Sequence, residues 1–375
     1  MAKNIDIEPR NSLFMNEFSN LTDPRRTNKG NFIYPLNEIL FLTISAVVSG
    51  MKGWSEIELF GKSKLDWLQQ YFPYQNGIPS HDVLSKVFSA LNSEAFSHSF
   101  ISWINSISDI TQGEVIAIDG KTIRGSGSQE KSAMHIVSAY ACENRLCLAQ
   151  EATAVKSNEI IAIPKLLDLM AINGCVVTID ALGCQKKIAK KIIEKQADYV
   201  LMVKDNQKNL KIDIEQSFKS LKVSQTDGNL DSGHGRIETR TCEVIDDLSL
   251  IKAKLNWKGL QSIIRISSER TDKKTNTTSR AIRYYISSIK PDAIRMNQIV
   301  RDHWKIENNL HWNLDVIFNE DAGLKKKGNS PFNFNIVSKI ALTLIEQENA
   351  TKMSKNARRI KAALDDKYRE LILKV

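Results

Sequence analysis

Cysteine is scarce and poorly spaced for either of its structural uses. The five residues, Cys142, Cys147, Cys175, Cys184 and Cys242, are scattered, odd in number and without a Cys-x-x-Cys pair. Neither a disulfide framework nor a cysteine-ligated zinc site is expected, and a reducing cytoplasm is the natural setting. Long apolar runs are missing too. The longest uncharged stretch lies between Glu38 and Lys52 and is interrupted by Thr43, Ser45, Ser49 and Gly50. A membrane-spanning helix needs roughly 18 to 20 apolar residues, so this stretch reads as a buried helix. The opening Met-Ala-Lys-Asn-Ile-Asp-Ile-Glu lacks the apolar segment of a signal peptide, and no membrane partner is expected. A His-Glu-x-x-His zinc spacing is also absent.

Positive charge, by contrast, is in surplus. The 375 residues carry 52 Lys and Arg against 43 Asp and Glu, and the pI is near 9.1. Such an excess favours a polyanionic partner, nucleic acid first. Hydrophobic residues at 42% and charged residues at 25% describe a globular chain, long enough for two domains or one with an insertion. Late in the chain come Lys325-Lys326-Lys327 and then a basic C-terminal tail, residues 351–375, with eight Lys/Arg against three Asp/Glu.

Periodicity divides the rest. Residues 1–110 read as a helical accessory domain, with Leu36, Ile39, Leu40 and Thr43 at helical spacing and Ser80 as an N-cap after a turn at 76–80. Residues 111–204 change period. Val115–Ile118 is an apolar strand ending at Asp119, and His135–Cys142 and Leu146–Val155 continue it as a meander. A helix to Met170, a strand Cys175–Ile179 ending at Asp180, a helix Gln185–Gln196 and a strand Tyr199–Val203 follow. A meander followed by helix–strand crossovers gives an α/β fold with a mixed sheet. Residues 205–295 read as a mainly β insertion, with a Gly/Asp-rich loop at 226–235 and strands after it. Residues 296–350 close the core with one helix over 297–318.

Two strands therefore end in an aspartate. In a ribonuclease-H-like sheet they are neighbours, which would set Asp119 beside Asp180. Paired carboxylates raise each other's proton affinity unless a cation lies between them, and hard divalent cations choose such oxygen ligands. On the late helix His303, Glu307 and His311 fall at i, i+4 and i+8 on one face, with Asp315 a turn beyond. Two readings stay open: a transition-metal site made by all four, or Glu307 completing the aspartate pair. In the second, His303 and His311 position it or touch phosphate, and Asp315 lies behind. Lys121 and Arg124 follow Asp119 closely enough to contact phosphate. Lys156 and Arg236 are further phosphate candidates.

The motif at 118–126, Ile-Asp-Gly-Lys-Thr-Ile-Arg-Gly-Ser, resembles that of the H-repeat-associated transposases, the ISAs group of bacterial insertion sequences. So do Lys156-Ser157-Asn158-Glu159-Ile160, Thr178–Gln185, Gly233–Arg240 and the block His303–Val316, while Asp23–Arg26 and Asn76–Asp82 extend the match into the accessory domain. The resemblance implies a DDE transposase with a ribonuclease-H-like core, interrupted by a β insertion before the glutamate. It implies Asp119, Asp180 and Glu307 as a catalytic, metal-binding triad holding two Mg²⁺ (or Mn²⁺) ions. Its partners would be double-stranded DNA, both terminal inverted repeats and target, and a second copy of the chain in the synaptic complex. The wider class carries Tyr-x-x-Arg-x-x-x-Glu-x6-Lys around the glutamate; here those positions are Val300, His303, Glu307 and Leu314. A DNA-binding relic without catalysis and a metal-dependent nuclease are the competing classes.

Overall fold

The computed structural model describes residues 16–25, 33–128, 132–153, 158–233 and 235–375. The uncharged stretch after Glu38 forms most of helix α1 (Leu36–Val48), in which every residue but Asn37 is buried. A helix apolar on all sides must be enclosed. Helices α2 (Trp54–Ser63), α3 (Leu65–Leu68), α4 (His81–Ala90) and α5 (Ser93–Ile107) supply part of that enclosure. Ser80 and Asn92 cap α4 and α5, their side chains accepting from the backbone N–H of Val83 and Ala95.

Strand β1 (Val115–Ile123) pairs antiparallel with β2 (Met134–Ala141), and β2 with β3 (Leu146–Thr153). Helix α6 (Glu159–Asp168) leads to β4 (Val176–Ile179), which lies parallel to β1. Helix α7 (Lys186–Glu194) leads to β5 (Asp198–Val203), parallel to β4. The order 3-2-1-4-5 with only β2 reversed is the expected ribonuclease-H-like arrangement. One detail differs from expectation. Asp180 does end its strand, whereas β1 runs on through Asp119 to Ile123, because β2 continues to pair with it.

After α8 (Lys208–Ser220) come β6 (Gln225–Gly233), β7 (Arg236–Ile245), β8 (Ser262–Asp272) and β9 (Thr278–Ser287). They are no separate layer: β9 pairs with β5, and one nine-stranded sheet runs 3-2-1-4-5-9-8-7-6. The expected loop at 226–235 is corrected by strand β6, which pairs with β7 from Gln225–Val244 to Gly233–Arg236. Its Gly, Asp, Asn and Ser are poor strand formers. As an edge strand with little to bury it needs only backbone pairing.

Helix α9 (Ala293–His303) packs on β1 and β4 and also on β6 and β7. Strands β1 and β7 are five places apart in the sheet, about 24 Å if it were flat at about 4.8 Å per strand. A helix about 10–12 Å wide can touch both only because the sheet curls over it.

The single helix expected at 297–318 is broken. After α9, Ile306–His311 form one wide π turn, and α10 (Trp312–Val316) completes the segment. Such turns favour functional sites. Helix α11 (Ser330–Gln347), buried from Ser330 to Ile345, fills the space between β3 and helices α1, α4 and α5, so sheet and N-terminal helices share one core. The basic C-terminal segment is not a free tail. Helices α12 (Lys355–Leu364) and α13 (Asp366–Leu373) dock on α1 and α11, with Arg359 and Arg369 fully buried. All five cysteines are free and buried. Among the described residues no helix is long and apolar enough to cross a membrane.

Candidate active site

The last paired residues of β1 and β4 are Ile118 and Ile179, so Asp119 and Asp180 leave the ladder at the same level. Asp180 caps the short turn Ala181–Gly183, accepting from the N–H of Leu182 at 2.9 Å and of Gly183 at 3.4 Å. Glu307 reaches Asp119 from the π turn, and His311 lies between them. Its Nδ1 is 3.5 Å from Asp119 Oδ2 and 3.5 Å from Glu307 Oε2. One ligand atom from each of Asp119, Glu307 and His311 lies within 4.8 Å of the others. His311 is buried, and its Nε2 has no hydrogen-bond partner among the described residues.

Electrostatics at this point favour a cation. Burial, then the carboxylates of Glu307 and Asp180, push Asp119 up to about 8. Hydrogen bonding from His311 draws Glu307 down to about 2. Burial pushes the His303 imidazole down to about 4, and its Nδ1 lies 2.9 Å from Thr178 Oγ1 on β4. Two carboxylates and an imidazole suit a divalent ion, which must displace the proton on Asp119 to bind. Mn²⁺ affinity of the chain should therefore fall about tenfold per pH unit below about 8. Titrating the Mn²⁺ spin-resonance signal at pH 6, 7 and 8.5 checks this; a flat profile would mean that Asp119 does not bind the metal.

The remaining candidates are spread out. Lys121 is turned inward, 2.7 Å from Asp315 Oδ1, 2.7 Å from Glu320 Oε2 and 3.5 Å from Asp321 Oδ1. Burial opposes its charge, yet Glu320 and Asp315 raise its pKa above the ordinary lysine value. The Lys121 ammonium, expected to contact phosphate, is thus surrounded by three carboxylates. Asp315 correspondingly faces Lys121 and not the Asp119–Glu307–His311 cluster. Arg124 remains open to solvent, with its side chain 84% exposed. His303, tied to Thr178, braces α9 on β4. Lys156 lies outside the described residues.

Arg236 belongs to a surface that sequence reasoning saw only in part. Between β6–β9 and α9 the curled sheet leaves a groove of about 780 Å³. Arg236, Arg240, Arg270 and Arg283 line it from the sheet, and Arg301, Trp304 and Lys305 from the helix side. Trp304, 42% exposed, follows the last residue of α9, and Asn308, next to Glu307 in the chain, is the lining residue nearest in sequence to that glutamate. Arg301 and Lys305 at i, i+4 were the sequence signal for this second wall; without the curl they pointed at nothing.

Residues 110–344 match the family model described as a transposase DDE domain, and residues 15–104 match the domain described as associated with it. "Putative transposase YncI" of Escherichia coli O157:H7 is 42% identical over 93% of this chain and 92% of its own. "H repeat-associated putative transposase YhhI" of Escherichia coli K12 is 38% identical over 96% and 97%. A solved structure, the piggyBac transposase synaptic complex with hairpin DNA, superposes at a TM-score of 0.46 and 11% identity. That match covers 93% of this chain and 75% of the other, a likeness too weak for residue correspondences. With nearly two thirds of its length matched by that domain and relatives of this identity along more than nine tenths of it, the chain belongs to the DDE transposase family.

Proposed function

We propose that the chain cuts and joins DNA at the ends of its own mobile element, with Asp119, Asp180 and Glu307 holding two Mg²⁺ ions. The observation that carries this is the meeting of Asp119 and Glu307 at the level of Asp180, and the arginine-lined groove, whose lining includes Asn308 beside Glu307 in the chain, supports it. The ions, when bound, would activate the attacking hydroxyl and stabilise the leaving oxygen of a phosphodiester. Asp119 gives up its proton on loading. Glu307, held ionised by His311, reaches down from the helix side, and neutral His303 keeps α9 in place over β4. Arg236 and Arg283 contact backbone phosphates and set the strand's register without reading its bases, while Arg240 and Arg270, paired with Glu238, and Arg301, paired with Asp231, keep the groove wall in place. Joining two terminal inverted repeats to one target requires two such centres, so at least a homodimer works in the synaptic complex.

The test is to incubate the chain with labelled element ends, supercoiled target DNA and Mg²⁺. Joint molecules between end and target are expected. Cleavage without joining would mean a metal-dependent nuclease, and binding without cleavage a relic that keeps only fold and charge.

A further inference from the structure

Beyond Ile118 strand β1 overhangs its sheet. Its pairing with β4 stops at Ile118–Ile179, while pairing with β2 continues to Ile123–Met134. Asp119 is the first residue of this overhang, held by one neighbouring strand instead of two. On the opposite face of β1 lies a buried acid–base pair with no part in the site described above.

His135 on β2 is the register partner of Thr122, and its Nδ1 is 2.8 Å from Thr122 Oγ1. Its Nε2 is 2.5 Å from Oε1 of Glu159, the first residue of α6. The two side chains are 3% and 4% exposed. Polar groups so buried are tolerated only when bonded, and a well-packed apolar pair of similar volume is often at least as stable. Stability alone is therefore a weak reason for this pair.

Gly120 links the pair to the site. Neighbouring residues of a strand point to opposite faces, so Gly120 meets the pair while Asp119 meets Glu307. A Cβ at Gly120 would stand 2.3 Å from Glu159 Oε1 and 2.4 Å from His135 Nε2. The polar atoms thus press directly on the backbone next to Asp119, with no side chain between to absorb a shift. Glu159 anchors them to α6, and Thr122 ties them back to β1 itself.

We infer that Thr122, His135 and Glu159 are positioning residues: a brace from α6 through β2 that sets the height of Asp119 against Asp180 and Glu307. The inference rests on the metal-site reading, since the quantity it controls is the fit of that site to an ion.

Mn²⁺ affinity of the intact chain without DNA, read from its spin-resonance titration, tests it alongside thermal melting and cleavage kinetics in Mg²⁺. Glu159→Gln should weaken Mn²⁺ binding about tenfold, in line with the loss seen when outer supports of metal ligands are removed. It should lower kcat at limiting Mg²⁺, with KM for DNA unchanged and recovery at higher Mg²⁺. Thr122→Val, which removes one hydrogen bond at an exposed residue and leaves the buried Nδ1 of His135 unpaired, should weaken Mn²⁺ binding a few-fold, with a smaller fall in melting temperature than Glu159→Gln. Wild-type Mn²⁺ affinity in a folded Glu159→Gln, or a fall in melting temperature alone, would overturn the brace. If Glu159→Gln does not fold, Thr122→Val decides by the same criterion. A wild-type chain that binds no Mn²⁺ would overturn the metal site itself, an outcome distinct from a normal wild type with indifferent variants.

Discussion

Glu307→Gln is expected to lower DNA cleavage in Mg²⁺ roughly a thousandfold or more, the several kcal/mol that one ligand of a two-metal centre contributes to transition-state stabilisation. Folding should survive, because the Glu307 side chain is 51% exposed and the π turn that carries it is packed by Ile306 and Leu310. DNA affinity should survive too, since the cationic groove lies beside Glu307 and not upon it. The amide keeps the shape of the carboxylate and can still accept from His311, so what is lost is charge. Asp315→Asn and Asp321→Asn should cost less, because both acids face Lys121, which Glu320 continues to hold. Cleavage rates in Mg²⁺, melting curves and duplex binding in Ca²⁺ separate the three effects. A Glu307→Gln chain that cuts normally, beside a dead Asp315→Asn, would move the third carboxylate to residue 315.

The second large effect concerns stability. Arg359→Leu should destabilise the fold by about 3 kcal/mol, within the range for removing charged hydrogen bonds from a buried site. The guanidinium is 1% exposed and donates through Nε and Nη2 to the Val47 carbonyl and through Nη1 to that of Ile317. It also lies 4.2 Å from the centroid of the Phe318 ring. Burial pulls its pKa down to about 10, still leaving it charged at neutral pH. One side chain thus pins α12 to the end of α1 and to the segment just past α10. Lysine cannot replace a planar fork that serves two carbonyls and a ring. Urea denaturation at pH 7 measures the loss; less than about 1 kcal/mol would show that desolvation cancels the bonds.

Features that depend on neighbouring residues were legible along the chain. The uncharged stretch after Glu38 could only be a buried helix, and the alternating periods after residue 111 carried the order of the five core strands. Asp119, Asp180 and Glu307 could be singled out because each stands in a motif legible over a few positions. Ser80 as a cap needed only the three residues after it.

Tertiary structure alone decided what depends on distant partners. Strand β6 reads as a loop because its residues favour turns, and only nine residues of β7 paired beside it make it a strand. Nothing local in β6–β9 says that they extend the core sheet through β5, or that the sheet curls over α9 to make an arginine groove. Lys121 looks like a free cation beside Asp119 until Glu320, 199 residues later, arrives to neutralise it. The docked C-terminal helices and the brace under Gly120 are hidden for the same reason. Periodicity and propensity are short-range properties of a chain, whereas pairing, desolvation and charge neutralisation are settled by whichever residues the fold brings within a few ångströms.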